Sequence, residues 1–162
     1  MGATLSLSVA KKMQEVGDIP QSLIVSGNYG PTNEKRHIKR YLLEDAEFKE
    51  ELRKLGGVPD EVLEDEELYS FFSPIMRADF EILEKDNFSE KGLVIEAPIY
   101  ALMGNKEDNY TKITNWDRFT SSGLRSKILD GGHFFIYDHP KEVVEVLREC
   151  INLSHPSYLQ IS

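Results

Sequence analysis

Between residues 2 and 16 the side chains Ala3, Leu7, Ala10 and Met13 recur at spacings of three and four. That period predicts an amphipathic helix, with Gly17 as its stop. No capping residue precedes it, so the helix reads as continuing a segment that lies upstream. Residues 22–27 predict a short strand. Its run Leu23-Ile24-Val25 does not alternate, as expected of a parallel strand covered on both faces, and Asn28, Gly30 and Pro31 end it.

From 33 to 86 the period is helical throughout. Ile38, Tyr41 and Leu42 form one stripe. Phe48, Leu52 and Leu55 form a second, opened by Asp45 and closed by Gly56-Gly57. Leu68, Phe71, Phe72, Ile75, Met76, Phe80 and Leu83 form a third, which Pro74 should kink or split. Pro59-Asp60 and the acidic run Glu64 to Glu67 separate the last two. Residues 97–103 predict a second buried strand. Residues 112–120 predict a short helix with Ile113, Trp116 and Phe119 on one side. Residues 125–129 predict a third strand. A last helix is expected over 140–152, opened by Pro140, with Val143, Val144, Leu147 and Ile151 as its stripe.

Strands alternating with helices imply parallel βαβ units. The expected architecture is therefore α/β, one domain over 1–162, with helices on both faces of a parallel sheet. The insertion at 33–86 is too long for a crossover and too apolar for a linker. It is expected to form a helical subdomain over the carboxyl edge of the sheet, where such folds place their ligands.

Composition narrows the class of function. The chain has 162 residues, 40% hydrophobic and 29% charged, which is ordinary for a globular protein with a real core. A net charge of −9 speaks against nucleic acid, whose phosphates need a Lys/Arg surplus, and against anionic membranes. Cys150 is the single cysteine, so an internal disulfide and a Cys-rich zinc site are excluded. It falls in the last helical pattern and reads as a buried small hydrophobe. This usage fits a reducing cytoplasm. No apolar run is long enough for a membrane span, and no signal peptide opens the sequence. Neither a metal nor a cofactor is expected.

Two loops carry the candidate chemistry. Gly104-Asn105-Lys106-Glu107-Asp108-Asn109 follows the second strand, and Asp130-Gly131-Gly132-His133-Phe134-Phe135 follows the third. Loops at the carboxyl ends of neighbouring parallel strands face each other across one edge. A carboxylate and an imidazole placed so can form the orienting half of a nucleophilic triad. The imidazole takes the nucleophile's proton, and the carboxylate fixes its tautomer. The competing reading makes His133 a plain loop residue and Asp108 a solvated acid.

Longer stretches point the same way. Met1-Gly2-Ala3, running into an Ala/Leu-rich helix, resembles the residues just after the serine of a G-H-S-M-G-A elbow. Leu55-Gly56-Gly57-Val58-Pro59, then Leu68 and Phe71-Phe72, resembles a lid segment, as does Pro74-Ile75-Met76-Arg77-Ala78-Asp79-Phe80. Pro98 to Gly104, an acidic turn, Trp116 and the Gly-Gly-His-Phe-Phe stretch complete the pattern. Taken in order over nearly the whole chain, these resemble the C-terminal part of the type II thioesterases, which are α/β hydrolases.

The resemblance implies a Ser-Asp-His triad in that chain order. His133 would be the general base and Asp108 the acid, with Glu107 as a rival because the turn is altered by about one residue. The serine has no counterpart in the sequence, and Met1 would carry one oxyanion N–H. Ser6 and Ser8 lie along the first helix, and Ser26 ends a strand without a surrounding G-x-S-x-G. The N-terminal strands and the elbow of the fold are expected to be missing. Phe71, Phe72, Ile75 and Phe80 would line an acyl channel, and Arg77 and Asp79 would pair with each other or position the substrate arm.

The implied activity is hydrolysis of acyl groups from the phosphopantetheine arm of acyl or peptidyl carrier proteins, beside polyketide, non-ribosomal peptide or fatty-acid synthases. The implied location is cytoplasmic. A truncated, non-catalytic binding remnant and another α/β-hydrolase esterase stay open as alternatives.

Overall fold

In the computed structural model, which describes residues 2–31, 39–85 and 92–154, strand β2 (Ile99–Gly104) lies between β1 (Leu23–Ser26) and β3 (Leu124–Leu129). Both pairings are parallel, with Leu23 opposite Ile99 and Ile99 opposite Leu124. All six residues of β2 are buried. Its side chains alternate between two cores, as the pleat requires. Ile99, Ala101 and Met103 pack with Leu7 and Ala10 of helix α1 (Gly2–Glu15) and with Ile113, Trp116 and Phe119. Tyr100 and Leu102 pack with Phe135 and with Val146 and Cys150 of helix α5 (Pro140–Ser154). Helices therefore cover both faces of the sheet, which is the expected α/β arrangement.

The sequence boundaries hold to within one or two residues, the ordinary tolerance of such ends. One element differs in kind. Residues Tyr110–Phe119 form a 3₁₀ helix. Side chains three apart eclipse in that geometry, so Ile113, Trp116 and Phe119 stack on a single line, and all three are buried.

The described residues divide into two compact units, and 39–85 belong to one of them. This unit is helical. After a 3₁₀ turn at Arg40–Leu42 come α2 (Asp45–Leu55), α3 (Asp60–Glu64) and α4 (Glu66–Lys85). Its own core gathers Phe48, Leu52, Leu63 and Tyr69, with Met76 and Phe80 against them. Gly56 closes α2 at φ 72°, a left-handed value that suits glycine. The Asp65 carboxylate accepts from the Leu68 N–H at 2.9 Å and caps α4.

Pro74 does not split α4, which runs unbroken over 20 residues. Pro74 is exposed, so the helix turns toward water the side that lost a hydrogen bond. Arg77 pairs with Asp45 at 2.8 Å and not with Asp79, because residues two apart on a helix do not face each other. Its guanidinium also lies 4.2 Å from the centre of the Phe48 ring and donates to the carbonyls of Tyr41 and Leu43. Ile38 and the rest of 33–38, and residue 86, lie outside the described residues. Among the described residues no helix is long and apolar enough to cross a membrane.

Candidate active site

The two strand-end loops meet. The Asn105 N–H donates to the Leu129 carbonyl at 2.8 Å, and the Lys106 N–H to the Gly131 carbonyl at 2.9 Å. The Gly131 N–H returns a bond to Asn105 Oδ1 at 3.0 Å. These bonds extend the β2–β3 ladder past the ends of the strands. The loop after β3 is anchored from below by Phe135, which is 1% exposed in the core beside Tyr100 and Leu102.

On this base His133 Nδ1 lies 2.8 Å from Glu107 Oε2. A carboxylate oxygen only accepts, so Nδ1 carries the proton. In the neutral ring Nε2 then keeps its lone pair, which is the state a general base needs. The second oxygen, Glu107 Oε1, accepts from the Gly104 N–H at 3.0 Å. Both carboxylate oxygens are thus committed. The Glu107 side chain is only 9% exposed, whereas His133 is 49% exposed. The pair has a sheltered acid and an accessible base.

Of the two candidate acids, the structure brings Glu107 to the imidazole. Asp108 is exposed one residue further on. The turn explains this: the Glu107 N–H closes onto the Gly104 carbonyl at 3.2 Å, so side chain 107 folds back over the strand end. Asn109 then reverses the chain at φ 59°, beyond the point where Asp108 could follow.

The neighbouring groups hold the loops and take no part in the pair. Asn105, and then Lys106, hold the Asp130 carboxyl below its ordinary value. His139 donates through Nε2 to the Asp130 carbonyl at 2.8 Å. The His133 ring meets Phe134 edge-on at 5.1 Å, and Phe134 stacks on Tyr137.

Met1 is outside the described residues. Ser26 is exposed at the end of β1, and Ser6 donates to the Ala3 carbonyl inside α1. In the helical unit Phe71, Phe72 and Ile75 are 68%, 40% and 55% exposed. Phe80 instead packs edge-on against Phe48 in that unit's core. Gly104 reads in the sequence only as the end of a strand. It also accommodates a close approach: a Cβ there would fall 2.3 Å from the Gly131 carbonyl oxygen. A glycine at a strand end, where another backbone passes closely, is the signal that could have found it.

A family model for the thioesterase domain matches residues 1–151. The chain belongs to the thioesterase domain family. Among curated relatives, the gramicidin S biosynthesis protein GrsT of Aneurinibacillus migulanus is 32% identical over 157 residues, covering 94% of this chain and 60% of that protein. The crystal structure of ClbQ from the colibactin NRPS/PKS pathway is 27% identical with a TM-score of 0.82, covering 94% of this chain and 65% of that one. BorB, the type II thioesterase of the borrelidin biosynthetic cluster, is also 27% identical, with a TM-score of 0.79 over 91% of this chain and 61% of that one. The chain thus spans about 60% of the length of the first curated relatives it matches. The family's architecture is the α/β-hydrolase sheet that the resemblance implied.

Proposed function

We propose that this chain supplies the base and the orienting acid of a type II thioesterase, which releases acyl groups from the phosphopantetheine arm of acyl or peptidyl carrier proteins in non-ribosomal peptide or polyketide assembly. One observation carries the reading: an accessible imidazole and a sheltered carboxylate at 2.8 Å, on the carboxyl ends of neighbouring parallel strands. In this mechanism His133 Nε2 takes the proton from a serine hydroxyl as it attacks the thioester carbonyl. The acyl-enzyme forms and the pantetheine thiol leaves with that proton. His133 then activates water to release the acid. Glu107, in place of Asp108, holds the tautomer and steadies the imidazolium.

No G-x-S-x-G occurs in the 162 residues, so in this reading the serine and one oxyanion donor come from the portion of the relatives that this chain does not match, and Met1 carries the other oxyanion N–H. The resemblance assigns the acyl channel to the apolar residues Phe71, Phe72 and Ile75 of α4, which are exposed. The cytoplasm, where carrier proteins work, is the place of action. The same lack of a nucleophile motif favours a second reading, in which the chain by itself binds but does not hydrolyse.

The test joins the unmatched N-terminal portion of a relative such as GrsT to this chain and follows hydrolysis of an acyl-pantetheine thioester. Glu107→Gln should lower kcat by about 10³–10⁴-fold, as when a triad imidazole loses its orienting carboxylate. Asp108→Asn should stay within about twofold, as a solvated acid outside the triad would. The reverse result returns the role to Asp108. A hybrid that folds but shows no His133-dependent turnover leaves the binding reading.

A further inference from the structure

Besides Glu107 and Phe134, the His133 ring meets Gly27, the residue directly after β1. A Cβ built on Gly27 would fall 2.7 Å from Cε1 and 2.8 Å from Nδ1 of that ring. Real side chains do not approach so closely, so the imidazole occupies the space where any other residue would carry its side chain. Gly27 also sits at φ +64°, a value that glycine adopts without cost. Its N–H is bonded to the Leu102 carbonyl at 3.0 Å, which ties this position to β2.

The segment after Gly27 is braced against the 3₁₀ helix. The Trp116 indole N–H donates to the Asn28 carbonyl at 2.8 Å. Asn28 Oδ1 accepts from the Gly30 N–H at 2.8 Å. Gly30 lies so close to Asn115 that a Cβ there would come within 3.1 Å of the Asn115 side chain. Arg118 donates to the Pro31 carbonyl at 3.0 Å. Trp116 itself is fully buried. The residues after β1 are therefore fixed in place by side chains that do not touch the imidazole.

We infer that Gly27 is a positioning residue: its bare Cα is the seat on which the His133 ring lies while Glu107 holds Nδ1, and Trp116 keeps that seat in place. The ring is caught from two directions. Glu107 sets which nitrogen carries the proton. Gly27 sets where the plane of the ring stands, and so where the Nε2 lone pair points. The importance of that lone pair for turnover rests on the thioesterase reading, but the seat does not.

The test reads the tautomer of His133 by ¹⁵N NMR of the imidazole in this 162-residue chain, at a pH where the ring is neutral. In the parent the Nδ1–H form should dominate. Gly27→Ala should displace the ring, break the bond to Glu107 and shift the population toward the Nε2–H form that free imidazoles of histidine prefer. Gly17→Ala is the control, because Gly17 has φ +83° but open space around it. It imposes the same kind of backbone strain and should leave His133 unchanged. Trp116→Phe keeps an aromatic ring in the core but removes the N–H to Asn28. It should give a partial shift in the same direction, and it decides the matter if Gly27→Ala does not fold.

Retention of the parent Nδ1–H population in a folded Gly27→Ala chain, or in Trp116→Phe when Gly27→Ala does not fold, overturns the inference. In the hybrid that carries a serine, Gly27→Ala should lower kcat by about 100-fold with little change in KM, the cost of misplacing a catalytic group by about 1 Å. If the hybrid proves inactive for every variant while the tautomer shifts as described, the thioesterase reading fails and the seat stands.

Discussion

Gly104→Ala tests how the two loops of the site are held together. Gly104 has no positive φ, so an added methyl group costs nothing through backbone conformation and acts through space alone. That methyl would lie 2.3 Å from the Gly131 oxygen, 2.5 Å from the Gly132 oxygen and 2.9 Å from the Gly131 carbon. All three are backbone atoms, and no side chain can rotate away to make room. To reach ordinary contact, the segment 131–132 must retreat by roughly 1 Å. Overpacking of this kind costs about 1–3 kcal/mol. The retreat also stretches the bond from the Lys106 N–H to the Gly131 carbonyl, now 2.9 Å, and a lost bond adds about 1 kcal/mol.

A total of about 3 kcal/mol corresponds to a fall in Tm of roughly 6–12 °C for a domain of this size. The assay is thermal unfolding followed by circular dichroism, with Gly123→Ala as the comparison, since a Cβ on Gly123 meets nothing within 4 Å. Gly123 has φ +93°, so that variant carries conformational strain without a clash. It should lose only about 1–2 kcal/mol. If Gly104→Ala melts within about 2 °C of the parent, less than about 1 kcal/mol has been lost and the close approach of the loops is not a real constraint.

The packing carries two more expected outcomes. The Arg77 guanidinium, and then the Tyr69 hydroxyl, hold the Asp45 carboxyl below its ordinary value. A depressed carboxyl adds stability above its unfolded pKa of about 3.9 and loses it as pH falls through the lower folded value. Asp45→Asn should therefore destabilise the helical unit near neutral pH by at most about 1 kcal/mol, the pair being largely solvated. The gap should close in acid, and denaturant titrations at several pH values would show whether it does. Burial pushes the Cys150 thiol up, and the residue is 4% exposed. A thiol reagent at neutral pH should modify it slowly in the folded chain and rapidly in denaturant. Fast reaction under native conditions would contradict its place beside Tyr100.

The sheet was legible because Leu23-Ile24-Val25 is apolar without alternation, as in a parallel strand covered on both faces, and because the predicted strands alternate with helical segments. His133 stood out as a candidate because it follows Gly-Gly after a strand and falls in the Gly-Gly-His-Phe-Phe stretch that carries the resemblance. The choice between Glu107 and Asp108 was not legible. Two adjacent acids in a turn point in different directions, and which one turns inward depends on the Gly104–Glu107 hydrogen bond and the left-handed Asn109. Neither is a spacing. The partner of Arg77 was hidden for a related reason. Asp79 lay close in sequence, but the ion pair formed with Asp45, 32 residues away, once α2 and α4 had packed. The roles of Gly27 and Gly104 were the least visible. In a sequence both read as punctuation, and their function is to leave room for atoms from another segment.

The hydrogen bonds that join residues 105–106 to 129–131 also bear on local fluctuation. Neither loop can lift from the sheet edge without releasing the other, so thermal opening should take both in one event. Amide exchange at Lys106 and Gly131 should then share a single protection factor, whatever their individual exposure. For the pair they carry, this means that a fluctuation abolishes acid and base together. Opening of the loops therefore gives no state in which the imidazole is in place but has lost its carboxylate.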